Sequence, residues 1–167
     1  PAPPVRRWAA TTCALLAAAG VAALAPWDPV VMSSGAAIYP RTYLDVLDGL
    51  YDVSKRVKLV TCRFEAGAVN MAEAYGKLTG RPAAAFVTRG PGACHGAIGA
   101  HIAQQDSTPM LLFIGQIPFE ETDRESFQEV DYRQMFGPLA KWVTQIDDEK
   151  RIPELMAHAF DVATSGR

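Results

Sequence analysis

Residues 57–92 read VKLVTCRFEAGAVNMAEAYGKLTGRPAAAFVTRGPG, and this stretch decides the fold class. It begins and nearly ends with short apolar runs typical of buried strands, at residues 57–62 and Ala83–Val87. Between them, apolar residues recur at helical spacing over Glu65–Thr79, and Gly80 predicts the end of that helix. A strand, a helix and a strand in this order are typical of a parallel βαβ unit that is buried on both faces.

The same alternation continues towards the end of the chain. A glycine-containing turn at residues 88–92 precedes a predicted helix of small residues from 93 to about 104, and Met110–Ile114 is a third apolar strand. Residues 151–165 predict a closing amphipathic helix. We therefore predict an α/β fold with a doubly wound, mostly parallel sheet flanked by helices. Because such a fold ordinarily places another strand after this helix, one interpretation is that the sheet lacks its last strand.

Composition excludes several classes of protein. A chain of 167 residues with 49% hydrophobic residues, 20% charged residues and a net charge of -2 is typical of one globular domain. This balance argues against a disordered chain and against a nucleic-acid-binding surface. The cysteines Cys13, Cys62 and Cys94 lack C-x-x-C spacing, which argues against a disulfide framework and a zinc site. We predict no metal site formed by this chain alone, and a reducing, cytoplasmic location.

The first 42 residues differ from the rest. Arg6 and Arg7 precede a small apolar run at residues 13–25, an arrangement that resembles a signal peptide but is too short to span a bilayer. The preferred interpretation is an Ala-rich helix closed by Gly20, without a membrane segment; export is the alternative. We accordingly divide the chain into a divergent N-terminal segment, residues 1–42, and a domain formed by residues 43–167.

Two features could carry chemistry, although spacing alone does not prove it for either. Glu65 lies where a predicted buried strand becomes a helix, but acidic residues in a first helical turn commonly just interact with the helix dipole. Gly90-Pro91-Gly92 matches neither the dinucleotide nor the triphosphate glycine pattern. Its residue types indicate only a stiff turn at Pro91 whose backbone a ligand can approach closely at Gly92.

Five segments taken together, in order and spacing, resemble the acetolactate synthase group of thiamine-diphosphate-dependent enzymes. The resemblance covers about residues 43–167 and corresponds to the N-terminal, pyrimidine-binding domain of that family. The segments are 65–76 (EAGAVNMAEAYG), 88–93 (TRGPGA), 105–109 (QDSTP), 115–116 (GQ) and 126–129 (SFQE).

The resemblance implies roles for individual residues. In that family the glutamate matching Glu65 hydrogen-bonds N1′ of the aminopyrimidine and so activates the cofactor for loss of its C2 proton. It also implies that the Gly90-Pro91-Gly92 turn and His95 bind the cofactor, and that Gln128 reaches towards cofactor or substrate. The family usually has Asn at the position of His95, so a helix-surface histidine remains the other interpretation of that residue.

The resemblance also implies what this chain needs from elsewhere. The family's metal-diphosphate motif, G-D-G followed by N-N, is absent from the sequence. Mg²⁺ and the diphosphate would then be held by a diphosphate-binding domain, in a second subunit or in a longer polypeptide, within a homodimer or homotetramer. The arginine that many relatives use for flavin contact is missing near Gly137 and Pro138, which argues against bound FAD.

The resulting functional prediction is the pyrimidine-binding domain of a 2-oxo-acid decarboxylase or carboligase, an enzyme of the transferase or lyase class that acts on a small 2-oxo acid. One alternative is the alpha-type subunit of a split decarboxylase, as in sulfopyruvate decarboxylase. Another is a degenerate, non-catalytic assembly module. Residues 26–40 support the last alternative because they diverge where the family has its first strand and turn.

Overall fold

The computed structural model describes residues 29–33 and 43–166. Within these residues the structure contains four strands, five α-helices and two short 3-10 turns at Phe119–Glu121 and Glu149–Arg151. The strands are β1 (Pro29–Ser33), β2 (Lys58–Cys62), β3 (Ala83–Val87) and β4 (Met110–Ile114). The helices are α1 (Leu44–Asp52), α2 (Glu65–Thr79), α3 (Pro91–Asp106), α4 (Tyr132–Phe136) and α5 (Ile152–Thr164).

The four strands form one sheet in the order β2-β1-β3-β4, and every neighbouring pair is parallel. Val31 of β1 pairs with Val60 on one side and with Ala85 on the other. Helices connect successive strands, as parallel pairing requires. The predicted α/β class with a parallel, helix-flanked sheet is therefore confirmed.

Strand β1 lies in the interior of this sheet, although its residues belong to the segment that the sequence set apart as divergent. Its central side chains are buried: Val30 is 3% exposed, Val31 2% and Met32 1%. A five-residue apolar strand paired on both sides is well suited to the middle of a parallel sheet. The predicted helix at residues 13–25 and its export alternative lie outside the described residues.

The side chains of the strands alternate between two separate cores, one on each face of the sheet. On one face, β1 and β3 contribute Val30, Met32, Ala84 and Phe86, which pack against Tyr43 and the apolar side of α1. On the other face, Val31, Ala85 and Val87 pack against the alanines and valine of α2. Helix α3 joins the second face through Ala93 and Ala100, whereas α5 covers β4 on the first. This two-sided burial explains why β1 and β3 read as continuous apolar runs. The prediction of a buried strand at residues 57–62 is wrong, because β2 lies at the edge of the sheet and its residues are exposed or half-buried.

The ends of the helices follow from local chemistry. Gly80 adopts a left-handed conformation with φ 69° and ends α2 where the sequence predicted it. Helix α3 begins at Pro91, earlier than predicted, because proline is well suited to the first helical position, where an N–H has no intrahelical acceptor. Among the described helices, none has the length and apolar character needed to cross a membrane.

Candidate functional site

The order of the strands determines where a site can form. Strands β1 and β3 are neighbours in the sheet. The connection that follows β1 leads to β2 on one side, whereas the connection that follows β3 leads to β4 on the other, so the two connections diverge. Ligands of open parallel sheets bind in the crevice at such a point. Glu65 follows β2 and the Gly90-Pro91-Gly92 turn follows β3, on the two sides of the carboxyl end of β1.

Glu65 is the first residue of α2, and its side chain is only 11% exposed. A carboxylate at this position meets the positive end of the helix dipole and N–H groups that have no intrahelical acceptor. Phe64 precedes it in an extended conformation and is 58% exposed. The acid is therefore sheltered, whereas its neighbour in the chain faces solvent.

The Gly90-Pro91-Gly92 turn lies directly against Glu65. Gly90 has φ 58°, a conformation that favours glycine, and its N–H donates to the hydroxyl oxygen of Tyr132 at 2.7 Å. A Cβ at Gly92 would lie 2.5 Å from Thr88 Cγ2 and 3.3 Å from Glu65 Oε1. A side chain at position 92 would therefore clash with Thr88 and crowd the Glu65 carboxyl group, whereas glycine avoids both.

Gln128 reaches the same turn from a loop distant in sequence. Its φ is 67°, and its Cβ lies 2.7 Å from the position that a Cβ of Gly90 would occupy. The preceding loop is held by Glu129, whose carboxylate accepts hydrogen bonds from the N–H groups of Asp123 and Ser126 at 2.7 and 3.0 Å. The backbone near Gln128 is therefore fixed against the glycine turn.

His95 projects from the first turns of α3 towards Glu65. Its Nδ1 lies 3.3 Å from Glu65 Oε2, and its own side chain is 65% exposed. The histidine thus both faces solvent, as a helix-surface residue would, and contacts the sheltered carboxylate. All six residues singled out from the sequence lie together at this corner of the sheet; what they bind stays a prediction.

Two tyrosines support the corner without any signal in the sequence that could have identified them. Burial raises the pKa of Tyr132 above its usual value, an effect that the hydrogen bond from Gly90 opposes. Burial also raises the pKa of Tyr43, whose hydroxyl lies 2.8 Å from the carbonyl oxygen of Val87 at the end of β3. Both contacts join residues more than 40 positions apart, beyond the reach of local patterns.

The residues at this corner offer one sheltered carboxyl group, one imidazole and the backbone of a glycine turn. Over residues 29–33 and 43–166, no three His, Cys, Asp or Glu side chains come close enough together to hold a metal.

Comparison with known proteins identifies the family. Residues 28–135 match the family described as "Thiamine pyrophosphate enzyme, N-terminal TPP binding domain". The chain belongs to this family. The match begins at residue 28 and thus includes β1.

Curated relatives of this TPP-binding domain are acetolactate synthases. It is 36% identical over 124 residues to the mitochondrial acetolactate synthase catalytic subunit of Aspergillus candidus, covering 74% of the chain and 18% of the relative. The chain is 34% identical over 122 residues to the acetolactate synthase of Bacillus subtilis, and the alignment covers 73% of the chain and 21% of that relative. The chain is also 36% identical over 124 residues to a probable acetolactate synthase large subunit of Methanocaldococcus jannaschii. This alignment covers 74% of the chain and 21% of the relative. The chain therefore spans about a fifth of the length of these relatives.

Proposed function

We propose that this domain binds the aminopyrimidine ring of thiamine diphosphate, another name for thiamine pyrophosphate, and that Glu65 activates it. The complete enzyme would be a 2-oxo-acid decarboxylase or carboligase similar to acetolactate synthase. The observation that carries the proposal is the sheltered Glu65 carboxyl group with the backbone of Gly92 packed against it. The match to a TPP-binding family makes this the ligand to test.

The residues present fit the ring half of the cofactor. Glu65 is 9% exposed, and its carboxyl group can share a proton with a ring nitrogen that enters from the open side of the corner. The absence of a side chain at Gly92 leaves one flank of the carboxyl free of a Cβ, and Gln128 lies beside the turn. When bound, thiamine diphosphate would supply a nucleophilic carbon and an electron sink for the decarboxylation of a 2-oxo acid. The part of this chain in that chemistry is to orient the ring and to hold a proton at Glu65.

The diphosphate half of the cofactor needs other residues. The described part of the chain has no cluster of acids suited to Mg²⁺, and the sequence lacks the family's G-D-G motif. We infer that a diphosphate-binding domain supplies the metal site, from a second subunit or from the rest of a longer polypeptide.

A homodimer or homotetramer is part of the same proposal. Ile98 and Ile102 are 57% and 39% exposed on α3, the helix that carries His95, and they lie one turn apart. An apolar strip beside the site supports contact with another protein surface there. Ile98→Glu should shift the protein towards smaller species in sedimentation velocity, whereas Leu78→Glu, on an 86% exposed leucine at the end of α2, should leave its mass unchanged.

The decisive experiment measures proton exchange at C2 of thiamine diphosphate by NMR, with the full-length protein and Mg²⁺. We expect Glu65→Gln to slow the exchange about 100-fold or more, because the amide cannot pass a proton to the ring. Glu73→Gln is the matched control, since Glu73 is also a buried carboxyl on α2, 8% exposed, and accepts a hydrogen bond from Thr108. Exchange that is equally fast with Gln at position 65 would contradict the proposal and favour a non-catalytic assembly module.

A further inference from the structure

The glycine turn before α3 has no side chain of its own that fixes the conformation of Gly90. This residue is the N-cap of α3, with φ 58° and ψ -115°, a combination that glycine tolerates and other residues rarely adopt. Its N–H lies at the start of the helix, where the helix itself offers no acceptor. Because glycine also has the widest choice of other conformations, contacts from elsewhere must hold the turn in the observed one.

Two residues of the segment that follows β4 contact Gly90 from outside the turn. The hydroxyl oxygen of Tyr132 accepts a hydrogen bond from the Gly90 N–H at 2.7 Å. The Cβ of Gln128 lies 2.7 Å from the position that a Cβ of Gly90 would occupy, so it limits movement of the turn in that direction. Of these two contacts, the hydrogen bond is the directional one, and it therefore selects one orientation of the peptide group between Arg89 and Gly90.

Tyr132 is itself held in a defined place by α4. The helix begins at Tyr132, and the carboxylate of Asp131 accepts hydrogen bonds from the N–H groups of Arg133 and Gln134 at 3.0 and 3.1 Å. The Tyr132 ring lies beside the buried ring of Phe136, with 6.4 Å between their centroids. Both rings belong to the core cluster that joins α4 to α3. The hydroxyl is therefore a fixed acceptor for the turn.

We propose that Tyr132 is a positioning residue for the cofactor: its hydroxyl holds the turn in the conformation in which the Gly92 backbone packs beside the Glu65 carboxyl group. The inference rests on the proposed function of Glu65 and of the turn. Without the hydroxyl, the Gly90 peptide group populates other orientations, and only a fraction of the molecules present the turn that the ring needs. The apparent affinity falls by that fraction, whereas the bound complex keeps the same Glu65 and reacts at the same rate.

The first measurement is hydrogen–deuterium exchange of the full-length protein without cofactor, read by mass spectrometry. Tyr132→Phe should raise the exchange rate of the Gly90 N–H about tenfold, because this group loses its acceptor. The amides of β3, which bond to neighbouring strands, should exchange as before. A Gly90 N–H that exchanges equally slowly in both proteins would overturn the inference.

The second measurement is calorimetric titration of the full-length protein with thiamine diphosphate and Mg²⁺. Tyr132→Phe should weaken cofactor binding about threefold to tenfold. The rate of C2 proton exchange at saturating cofactor should stay within about twofold of that of the unsubstituted protein. A loss of affinity at an unchanged rate is the result expected of a residue that positions the turn.

Thr108→Val is the matched control. It removes another half-buried hydroxyl, one that donates to the Glu73 carboxylate at 3.2 Å and lies before β4, at the opposite edge of the sheet from the site. This variant should lose stability in urea denaturation but bind thiamine diphosphate as tightly as the unsubstituted protein does. An equal loss of affinity in both variants would mean that general destabilisation is the cause, and would overturn the role of Tyr132.

The remaining outcomes separate this inference from the proposed function. Unchanged affinity in Tyr132→Phe would overturn the positioning role while leaving Glu65 in place. A slower C2 exchange at saturating cofactor in Tyr132→Phe would also overturn it, because the hydroxyl would then act on the chemistry rather than on the turn. Fast C2 exchange in Glu65→Gln would remove the proposed function and, with it, the basis of the inference. Circular dichroism of each variant checks that it is folded.

Discussion

At the scale of single residues, the packing of the glycine turn against Thr88 and Glu65 depends on the missing side chain of Gly92. We expect Gly92→Ala to lower the free energy of unfolding by about 1–3 kcal/mol and to weaken thiamine diphosphate binding. The reason is that the new methyl group would lie 2.5 Å from Thr88 Cγ2 and 3.3 Å from the Glu65 carboxyl. Urea denaturation and calorimetric titration measure the two effects.

The control for this variant removes the atom that causes the clash. Thr88→Ser deletes Cγ2, so the double variant Gly92→Ala/Thr88→Ser should recover part of the stability lost by Gly92→Ala, measured against Thr88→Ser alone. Strictly additive losses would show that the methyl contact is not the cause.

Tyr132 gives a second prediction at this scale, because its hydroxyl is the acceptor for the Gly90 N–H at 2.7 Å. Tyr132→Phe should lower the free energy of unfolding by about 1–2 kcal/mol, since it leaves a buried donor without an acceptor. Tyr51→Phe is the matched control, because Tyr51 is 77% exposed and its hydroxyl is expected to contribute little. Equal losses from both substitutions in urea denaturation would contradict the role of the Tyr132 hydroxyl.

At the scale of secondary-structure elements, helix α2 sits on the turn between α3 and β4 through Gly76. A Cβ there would lie 2.2 Å from the Pro109 carbonyl oxygen, a backbone atom that cannot rotate away. Alanine improves helix propensity by about 1 kcal/mol over glycine, but the clash should exceed this gain. We expect Gly76→Ala to destabilise the protein by about 2 kcal/mol or more in urea denaturation.

The same helix provides the control. At Gly80 the φ is 69° and nothing lies within 4 Å of an added Cβ, so Gly80→Ala should cost only the strain of a left-handed residue, about 1 kcal/mol. If Gly76→Ala proves no worse than Gly80→Ala, the close approach of α2 to the turn is not needed for stability.

At the scale of the whole molecule, Tyr43 joins the helix layer on one face of the sheet to the carboxyl ends of two strands. Its hydroxyl lies 2.8 Å from the carbonyl oxygen of Val87 and 3.1 Å from that of Phe113. Burial raises the pKa of Tyr43 above its usual value near 10. The folded protein therefore keeps the Tyr43 proton at pH values where the unfolded chain has lost it.

The sign of the pH dependence follows. The stability associated with Tyr43 is fully present below about pH 10 and is lost as the pH rises towards the raised pKa, by up to about 1.4 kcal/mol per pH unit. Tyr43→Phe should cost about 1 kcal/mol at neutral pH and should flatten the alkaline decline. Urea denaturation of the unsubstituted protein and of Tyr43→Phe between about pH 8 and 11 measures the loss of stability and its pH dependence. If the stability of the two proteins declines in parallel, Tyr43 is not the source of the alkaline decline.

The sequence by itself determined the elements from β2 to β4. It predicted α2 and β3 with the bounds that the structure shows, and it placed β4 correctly at Met110–Ile114. These predictions succeed because apolar periodicity and glycine or proline stops act between residues a few positions apart. The family resemblance added the candidate site, whose residues the structure brings together although their roles stay predictions.

Only the tertiary structure decided how distant segments meet. It placed β1 between β2 and β3, joined His95 to Glu65 across 30 positions, and joined Gly90 to Tyr132 across 42. The physical reason is that such contacts depend on strand order and on the crossing of helices over the sheet, which local residue patterns do not encode. Residue type and spacing therefore supplied the candidate acid, and the parallel sheet determined which groups surround it.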